Sequence, residues 1–301
     1  MAAVDEVRKG TLLGAGAYAV WGLLPLYWPL LEPSGSLEVL SHRVVWSLLV
    51  VGVLVWALHR WPEVRDVLRD RRRVGRLAVA AVLIAVNWGA YIYGVSSEQV
   101  VETSLGYFIN PLVTVLLGVL VLGERLRPVQ WFALGLAALA VVVLTVEAGR
   151  PPLLALLLAG TFGLYGLLKK TAGVRAVEGL AVETAVLVPI AAGYLLVLAA
   201  RGTGTFTSAG TGHLLLVLSA GLVTVVPLLM FGAAAQRVTM TNLGLLQYLA
   251  PTMQLLLGVL VRHEPLGMAK LLGFALVWVA LAVFTYDLVH TARSRPVPEL
   301  V

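Results

Sequence analysis

Cysteine is missing from the chain altogether, which excludes disulfides, thiolate nucleophiles and cysteine-based metal sites. Charge is scarce as well: Asp, Glu, Lys and Arg supply 13% of the 301 residues, where a soluble domain carries roughly 25%. Aspartate is nearly absent from the apolar runs, so the paired-aspartate motifs by which membrane-embedded transferases hold metal and phosphate are lacking. The five histidines, at 42, 59, 213, 263 and 290, are dispersed, with no HExxH and no two on one helical face. There is no Walker loop and no GxSxG elbow. An enzyme is therefore not expected, no cofactor or metal is called for, and any work this chain does must draw on a gradient rather than on ATP.

What is abundant is apolar surface. Hydrophobic residues make up 59% of the chain, and the mean hydropathy is +0.92. A helix that spans a bilayer needs about 20 mostly apolar residues. Ten such segments are expected, near 10–30, 37–58, 75–95, 103–122, 128–146, 152–168, 178–200, 213–235, 242–261 and 267–288, the sixth being the shortest. The first is too long for a signal-peptide core and has no obvious cleavage site, so it reads as a retained helix. Placing the N-terminus inside leaves only Arg150, Arg201, Arg262 and Lys270 outside, with Arg43 within a helix; the other 17 of the 22 basic residues then face the cytoplasm. That bias puts both termini in the cytoplasm. The net charge of +6 does not point to nucleic acid, because the basic stretch HRWPEVRDVLRDRRRVGR, 59–76, reads as a juxtamembrane loop facing anionic lipid.

The chain also repeats itself. NPLVTVLLGVLVLGERL (110–126) matches APTMQLLLGVLVRHEPL (250–266), with Pro111, Gly118, Val119, Leu120, Val121, Glu124 and Leu126 recurring 140 positions on. GAYAVWGLL (16–24) matches GTFGLYGLL (160–168), and TSLG (103–106) matches TNLG (241–244). Each copy holds five helices, an odd number, so the second copy enters the membrane from the opposite side. The expected fold is an all-α integral membrane protein of ten transmembrane helices in two inverted repeats, 1–149 and 150–290, with a short cytoplasmic tail over 291–301. Inverted repeats of this kind typify secondary transporters, with the solute held near the bilayer midplane between the halves.

These same residues resemble the EamA-type drug/metabolite transporters. Within that superfamily AYAVWGLLPLYW, LSHRVVWSLL, AVLIAVNWGAYIYGV, GLVTVVPLLMFGAAAQR and FALVWVALAVFTYD are similar to segments of the RarD-like branch. The resemblance covers nearly the whole chain. It implies a permease of the bacterial cytoplasmic membrane that moves small organic compounds or drugs, with membrane lipid and solute as its partners. It leaves the substrate and the oligomeric state open.

Polar residues inside the spans nominate the site. His42 and Arg43 lie in the first turns of the second segment, Arg43 roughly 10 Å below the outer surface at 1.5 Å per residue. Two readings stand: Arg43 snorkels toward the headgroups, or the pair faces a central cavity as an outer gate that attracts anions. A His-Arg pair here recurs in RarD-like sequences, and Glu38 shares a helical face with His42. His42, with a reference pKa of about 6.5, could respond to outer acidity. Glu183, in the seventh segment, aligns with Ser41 across the repeats. It is expected at a different depth from Arg43, taking a proton or pairing with Lys169 or Lys170, unless it is simply a solvated carboxylate at a helix start. Proton coupling through Glu183 or His42 is one way to draw on a gradient.

Nearer the midplane, Thr103, Tyr107, Asn110 and Thr114 form a polar stripe on the fourth segment, as do Gln247 and Gln254 on the ninth. Asn87, Trp88 and Tyr91 on the third segment, Trp21 on the first, and Phe162 and Tyr165 on the sixth add aromatic and amide groups. Such residues either line a solute cavity or serve as interhelical glue. Pro111 and Pro251 each remove a backbone hydrogen bond, freeing carbonyls at Tyr107 and Gln247 and marking hinges. Gly10 and Gly14 read as a helix-packing pair, and Glu124 and Glu264 as structural caps. A carrier working by alternating access is the leading expectation, with a channel or facilitator as the alternative.

Overall fold

The computed structural model describes residues 2–97, 100–149, 151–261, 263 and 268–293, and among these there are helices and no strands. In chain order they are α1 (Ala2–Tyr27), a 3-10 turn at Trp28–Leu31, α2 (Ser36–Ala57), α3 (Trp61–Arg69), α4 (Arg71–Ser96) and α5 (Val100–Leu122). Then follow α6 (Pro128–Ala148), α7 (Leu153–Thr171), α8 (Ala176–Arg201), α9 (Thr211–Ala235), α10 (Met240–Leu246), α11 (Leu249–Leu260) and α12 (Met268–Arg293). Apolar runs of this length become helices because hydrocarbon offers no partner for an unpaired N–H or C=O. Glycine ends α6 and α8: Gly149 (φ 67°) and Gly202 (φ 64°) adopt the left-handed conformation that lets the chain turn back on its last carbonyls.

Among the described residues, seven segments are long and apolar enough to cross a membrane: Ser36–Ala57, Arg71–Gly94, Leu105–Leu122, Leu153–Thr171, Ala176–Arg201, Thr211–Ala235 and Met240–Leu260. The other three expected segments, in α1, α6 and α12, are helical but fall outside that set; the apolar stretches of α6 and α12 are Pro128–Val143 and Leu271–Ala280. The ninth segment is two helices, α10 and α11, meeting at a turn over Gln247 and Tyr248.

The helix starts carry the repeat. Ser36 and Ala176, and Arg71 and Thr211, each lie 140 residues apart. The packing is reciprocal under the same exchange. α1 packs on α9 as α7 packs on α4; α2 packs on α9 as α8 packs on α4; α5 packs on α7 as α11 packs on α1. The self-paired contacts are α2 with α8, α5 with α10 and α6 with α12. Short α3 has no helical counterpart: Val64 and Val67 are buried while Arg65, Asp66 and Arg69 face out, and Arg60 reaches Glu178 (3.6 Å) as Arg175 reaches Glu63 (3.1 Å).

The main core joins Ala17 and Tyr18 of α1, Val44 and Val51 of α2, Ala80, Ala81 and Ile84 of α4, Tyr165 of α7, Leu180 and Leu187 of α8 and Phe231 of α9. A second cluster lies where Ala133, Ala137 and Ala140 of α6 meet Phe274, Val277 and Ala280 of α12. Alanines at this spacing let two backbones approach closely, the usual mode of helix packing where lipid supplies no hydrophobic drive. The outer surface is apolar instead, with Leu49, Trp56, Leu120 and Ile190 exposed.

Candidate functional site

Arg43 is fixed by neighbours drawn from well-separated parts of the chain. Gly221 lets α9 close on α2: a Cβ there would stand 2.6 Å from the carbonyl oxygen of Trp46. One turn further on, Thr224 accepts a hydrogen bond from the Arg43 Nε–H at 3.0 Å. The guanidinium lies between two indoles, 4.9 Å from the ring centre of Trp28 and 4.6 Å from that of Trp88. Each such cation–π contact contributes about 0.5–2 kcal/mol, more as water is excluded. This is a directed arrangement that reaches the turn at Trp28, α4 and α9 rather than a side chain snorkelling along its own helix. Among the described residues no carboxylate lies within 4 Å of the guanidinium.

Glu183 is buried, not a solvated carboxylate at a helix start. Lys169 Nζ donates to its Oε1 at 2.7 Å, and the Tyr165 hydroxyl donates to its Oε2 at 3.2 Å. Lys169 threads between Gly179 and Gly232, where added methyls would sit 3.4 Å from its Nζ and 3.1 Å from its Cε. Lys170 goes elsewhere, donating to the carbonyls of Val238 and Ala235. Arg43 and Glu183 are each the eighth residue of their helix.

A cavity of about 10 Å³, room for about one water, is lined by Glu183 and by two neighbours of Arg43. Its walls include Trp88 and Thr224, which hold Arg43, and Tyr165 and Glu183, which hold Lys169. Val44, Ser47, Ile84, Leu180, Thr184, Leu187 and Leu228 complete it. Five helices, α2, α4, α7, α8 and α9, thus converge on one polar-ended, apolar-walled space.

Of the other expected site residues, most are engaged between helices. Asn87 Nδ2 donates to the Leu158 carbonyl (2.8 Å) and to Thr161 Oγ1 (3.0 Å), tying α4 to α7. Gln247 Nε2 donates to Thr114 Oγ1 at 2.9 Å, and Gln254 Nε2 to the Trp21 carbonyl at 3.3 Å. Trp21 itself sits among Tyr18, Phe162 and Phe231, with ring centres 5.3–5.8 Å away. Tyr91 and Tyr107 meet edge to face at 6.2 Å. Asn110 Oδ1 is buried without a hydrogen-bond partner. Helix α5 runs unbroken through Pro111, whereas the chain breaks four residues before Pro251, where the Gln247 carbonyl accepts from Ala250 N at 3.3 Å.

His42 belongs to a separate cluster with the α8–α9 loop. Trp46 Nε1 donates to its Nδ1 at 3.2 Å, Phe206 stacks on it at 4.7 Å, and Glu38 Oε1 stands 4.0 Å from Nε2. Glu38 Oε1 also accepts from Thr205 N at 2.7 Å, while Ser34 Oγ bonds Thr205 Oγ1 (2.5 Å) and His213 Nε2 (2.9 Å). Glu124 caps α10, accepting from Met240 N (2.6 Å), Thr241 N (2.9 Å) and Thr241 Oγ1 (2.7 Å). Its repeat mate Glu264 lies outside the described residues. Gly10 and Gly14 do pack helices, their missing methyls facing Arg237 and Leu246.

Comparison with known proteins decides the family. The EamA-like transporter family model matches residues 8–146. A protein named RarD from Streptomyces exfoliatus is 55% identical over 293 residues, covering 97% of this chain and 93% of its own. The chain belongs to the RarD-like permeases of the EamA-type drug/metabolite transporters. RarD of Escherichia coli is 41% identical over 288 residues, covering 96% and 97% of the two chains. An uncharacterized transporter of Pseudomonas aeruginosa is 44% identical over 298 residues, covering 98% and 99%. A solved crystal structure superimposes with a TM-score of 0.72 over 92% of this chain and 98% of its own; at 21% identity that likeness is one of fold. This RarD-like permease is thus a multi-pass bacterial membrane transporter, and the matching family and the Pseudomonas aeruginosa relative carry transporter names.

The sequence reading of this permease passed over Thr224, Trp28, Phe206 and His213. Thr224 is a lone hydroxyl in an apolar run, and no periodic signal singles it out. Trp28 precedes a proline at a helix end, the usual place of an interfacial anchor.

Proposed function

We propose that this RarD-like permease is a secondary transporter of small organic solutes, working by alternating access across the bacterial cytoplasmic membrane. The observation that carries the proposal is the cavity lined by Glu183 and by Trp88 and Thr224, the neighbours of Arg43, built where α2 and α4 of the first half meet α7, α8 and α9 of the second. Ten spans in two inverted repeats, with both termini cytoplasmic, are part of this reading. The 140-residue spacing of the helix starts and the reciprocal packing of the halves support it. A cavity that admits about one water is closed around its centre, so loading a solute requires the halves to part.

Energy comes from an ion or solute gradient. Glu183, buried and held by one lysine and one tyrosine, is the carboxylate placed to exchange a proton with the cavity it lines. Purified protein in proteoliposomes, given a panel of organic solutes with and without a pH gradient, should show saturable flux. Linear, unsaturable flux would make it a channel instead. A reporter fused after Val301 should report a cytoplasmic C-terminus and one inserted near Gly204 an outer loop; a C-terminus outside would end the inverted arrangement.

A further inference from the structure

We infer that the solute carries a single negative charge, a carboxylate borne on an apolar body, and that this anion is the counter-ion Arg43 lacks. The inference rests on the transporter reading above. A guanidinium has five N–H donors. Among the described residues only its Nε–H has a protein acceptor, Thr224, while the two indoles meet it through their rings, 4.9 and 4.6 Å from Cζ, and supply no oxygen or nitrogen acceptor. The side chain is not sealed off, since part of its surface stays accessible. A charge in the span is costly unless paired, and the structure pairs the other buried cation, Lys169, with Glu183. It leaves Arg43 without a carboxylate. The fork of a guanidinium matches a carboxylate's two oxygens, an arrangement a neutral solute cannot complete.

The charge count sets the valence. Lys169 and Glu183 cancel, so Arg43, held against the wall residues Trp88 and Thr224, supplies one net positive charge, enough for a monoanion and one short for a dianionic phosphate ester. The remaining wall sets the body of the solute: Val44, Ile84, Leu180, Leu187 and Leu228 offer apolar contact, and the hydroxyls of Ser47 and Thr184 donate to the carbonyls of Gly221 and Leu180. A lipid headgroup phosphate is the competing source of an anion, and the test separates the two.

Purified protein in phosphatidylcholine nanodiscs is titrated with matched pairs, phenylacetate with phenylacetamide and hexanoate with hexanamide, following tryptophan fluorescence, since Trp28 and Trp88 flank the guanidinium. The acid of at least one pair should bind about tenfold or more tightly than its amide, which corresponds to about 1.4 kcal/mol. That preference should disappear in Arg43→Gln and persist, weakened, in Arg43→Lys. If no acid is preferred, or if the preference survives Arg43→Gln, the inference is overturned. Loss of acid binding in phosphatidylglycerol-rich discs would assign Arg43 to headgroups and overturn it equally. Charge-selective binding without flux in proteoliposomes would refute transport but leave the ion pair. Equal flux of acids and amides would refute the ion pair but leave transport.

Discussion

The Lys169–Glu183 pair offers the sharpest test of the buried electrostatics. Both side chains are 3% exposed and their charged atoms are 2.7 Å apart, so each charge depends on the other. Glu183→Gln removes the anion and leaves a buried ammonium facing a neutral amide. Breaking a buried pair in this way costs about 3–5 kcal/mol, because the surviving charge is uncompensated. Lys169→Met should cost less, since the carboxyl it strands can take up a proton and keep its Tyr165 bond. Removing both charges together, in Lys169→Met/Glu183→Gln, leaves no stranded ion and should bring stability back to within about 1 kcal/mol of wild type. Unfolding in detergent, followed by size-exclusion chromatography after heating, reads all four proteins. If the double variant is as unstable as the sum of the singles, the two groups are not a coupled pair and the reasoning fails. The same folded double variant tests the mechanism: solute flux should continue to saturate but lose its dependence on an imposed pH gradient. A gradient dependence that survives in it would remove Glu183 from proton coupling.

Other substitutions probe the remaining parts. Gly221→Ala places a methyl about 2.5 Å from the Trp46 carbonyl carbon, so α2 and α9 must separate. It should cost about 1–3 kcal/mol of stability and weaken binding at Arg43, and a variant with wild-type melting and flux would refute the close-approach argument. Asn110→Leu and Gln254→Leu should lower flux while sparing expression, through the open amide oxygen of the first and the Trp21 tie of the second; unchanged initial rates in both would reduce the stripe to packing. His42→Gln should remove part of the dependence of initial flux on outer pH at fixed inner pH, and a full outer-pH profile in that variant would show His42 to be structural.

Much of the helix plan was legible because apolar length and helix length are the same physical requirement in a bilayer. The second segment, read as 37–58, is Ser36–Ala57, and the eighth, read as 213–235, is Thr211–Ala235. The first is displaced, expected over 10–30 and observed at Ala2–Tyr27, because helical backbone continues into charged residues that an apolar count leaves out. Helix α3 was hidden in the basic loop for the same reason: its apolar face is Val64 and Val67, too short to register. At the site, adjacency decided what could be read. Lys169 was nameable as a partner of Glu183 because few cations lie near that end of the helices. Thr224 was not, since its partner is 181 residues away and one hydroxyl makes no pattern. The amides of Asn87, Gln247 and Gln254 were visible as polar residues in a span. Their destinations were not, because a buried amide takes whichever acceptor the packing brings, here a hydroxyl or a helix carbonyl.

The distribution of these bonds bears on how such a carrier would open. At the end carrying His42, closure rests on Ser34, Thr205, His213 and Glu38, which join the α8–α9 loop to α2 and to the turn before it. At the other, Glu124 holds the start of α10, and Lys170 holds the carbonyls at the end of α9. The first set and the Glu124 bonds join the two halves of the chain, while Lys170 ties α7 to the end of α9 within the second half; the sets share no residue, so either can break while the other holds. That independence is what alternating access requires of its gates. The cavity wall lies between the sets and contains Glu183 and both wall partners of Arg43, so a solute that pairs with Arg43 acts on groups packed directly against α2, α8 and α9. In the proposed cycle, coupling of binding to opening would need no remote pathway, because α2, α7, α8 and α9 line the cavity and α2, α7, α9 and the α8–α9 loop also carry bonds of these two sets.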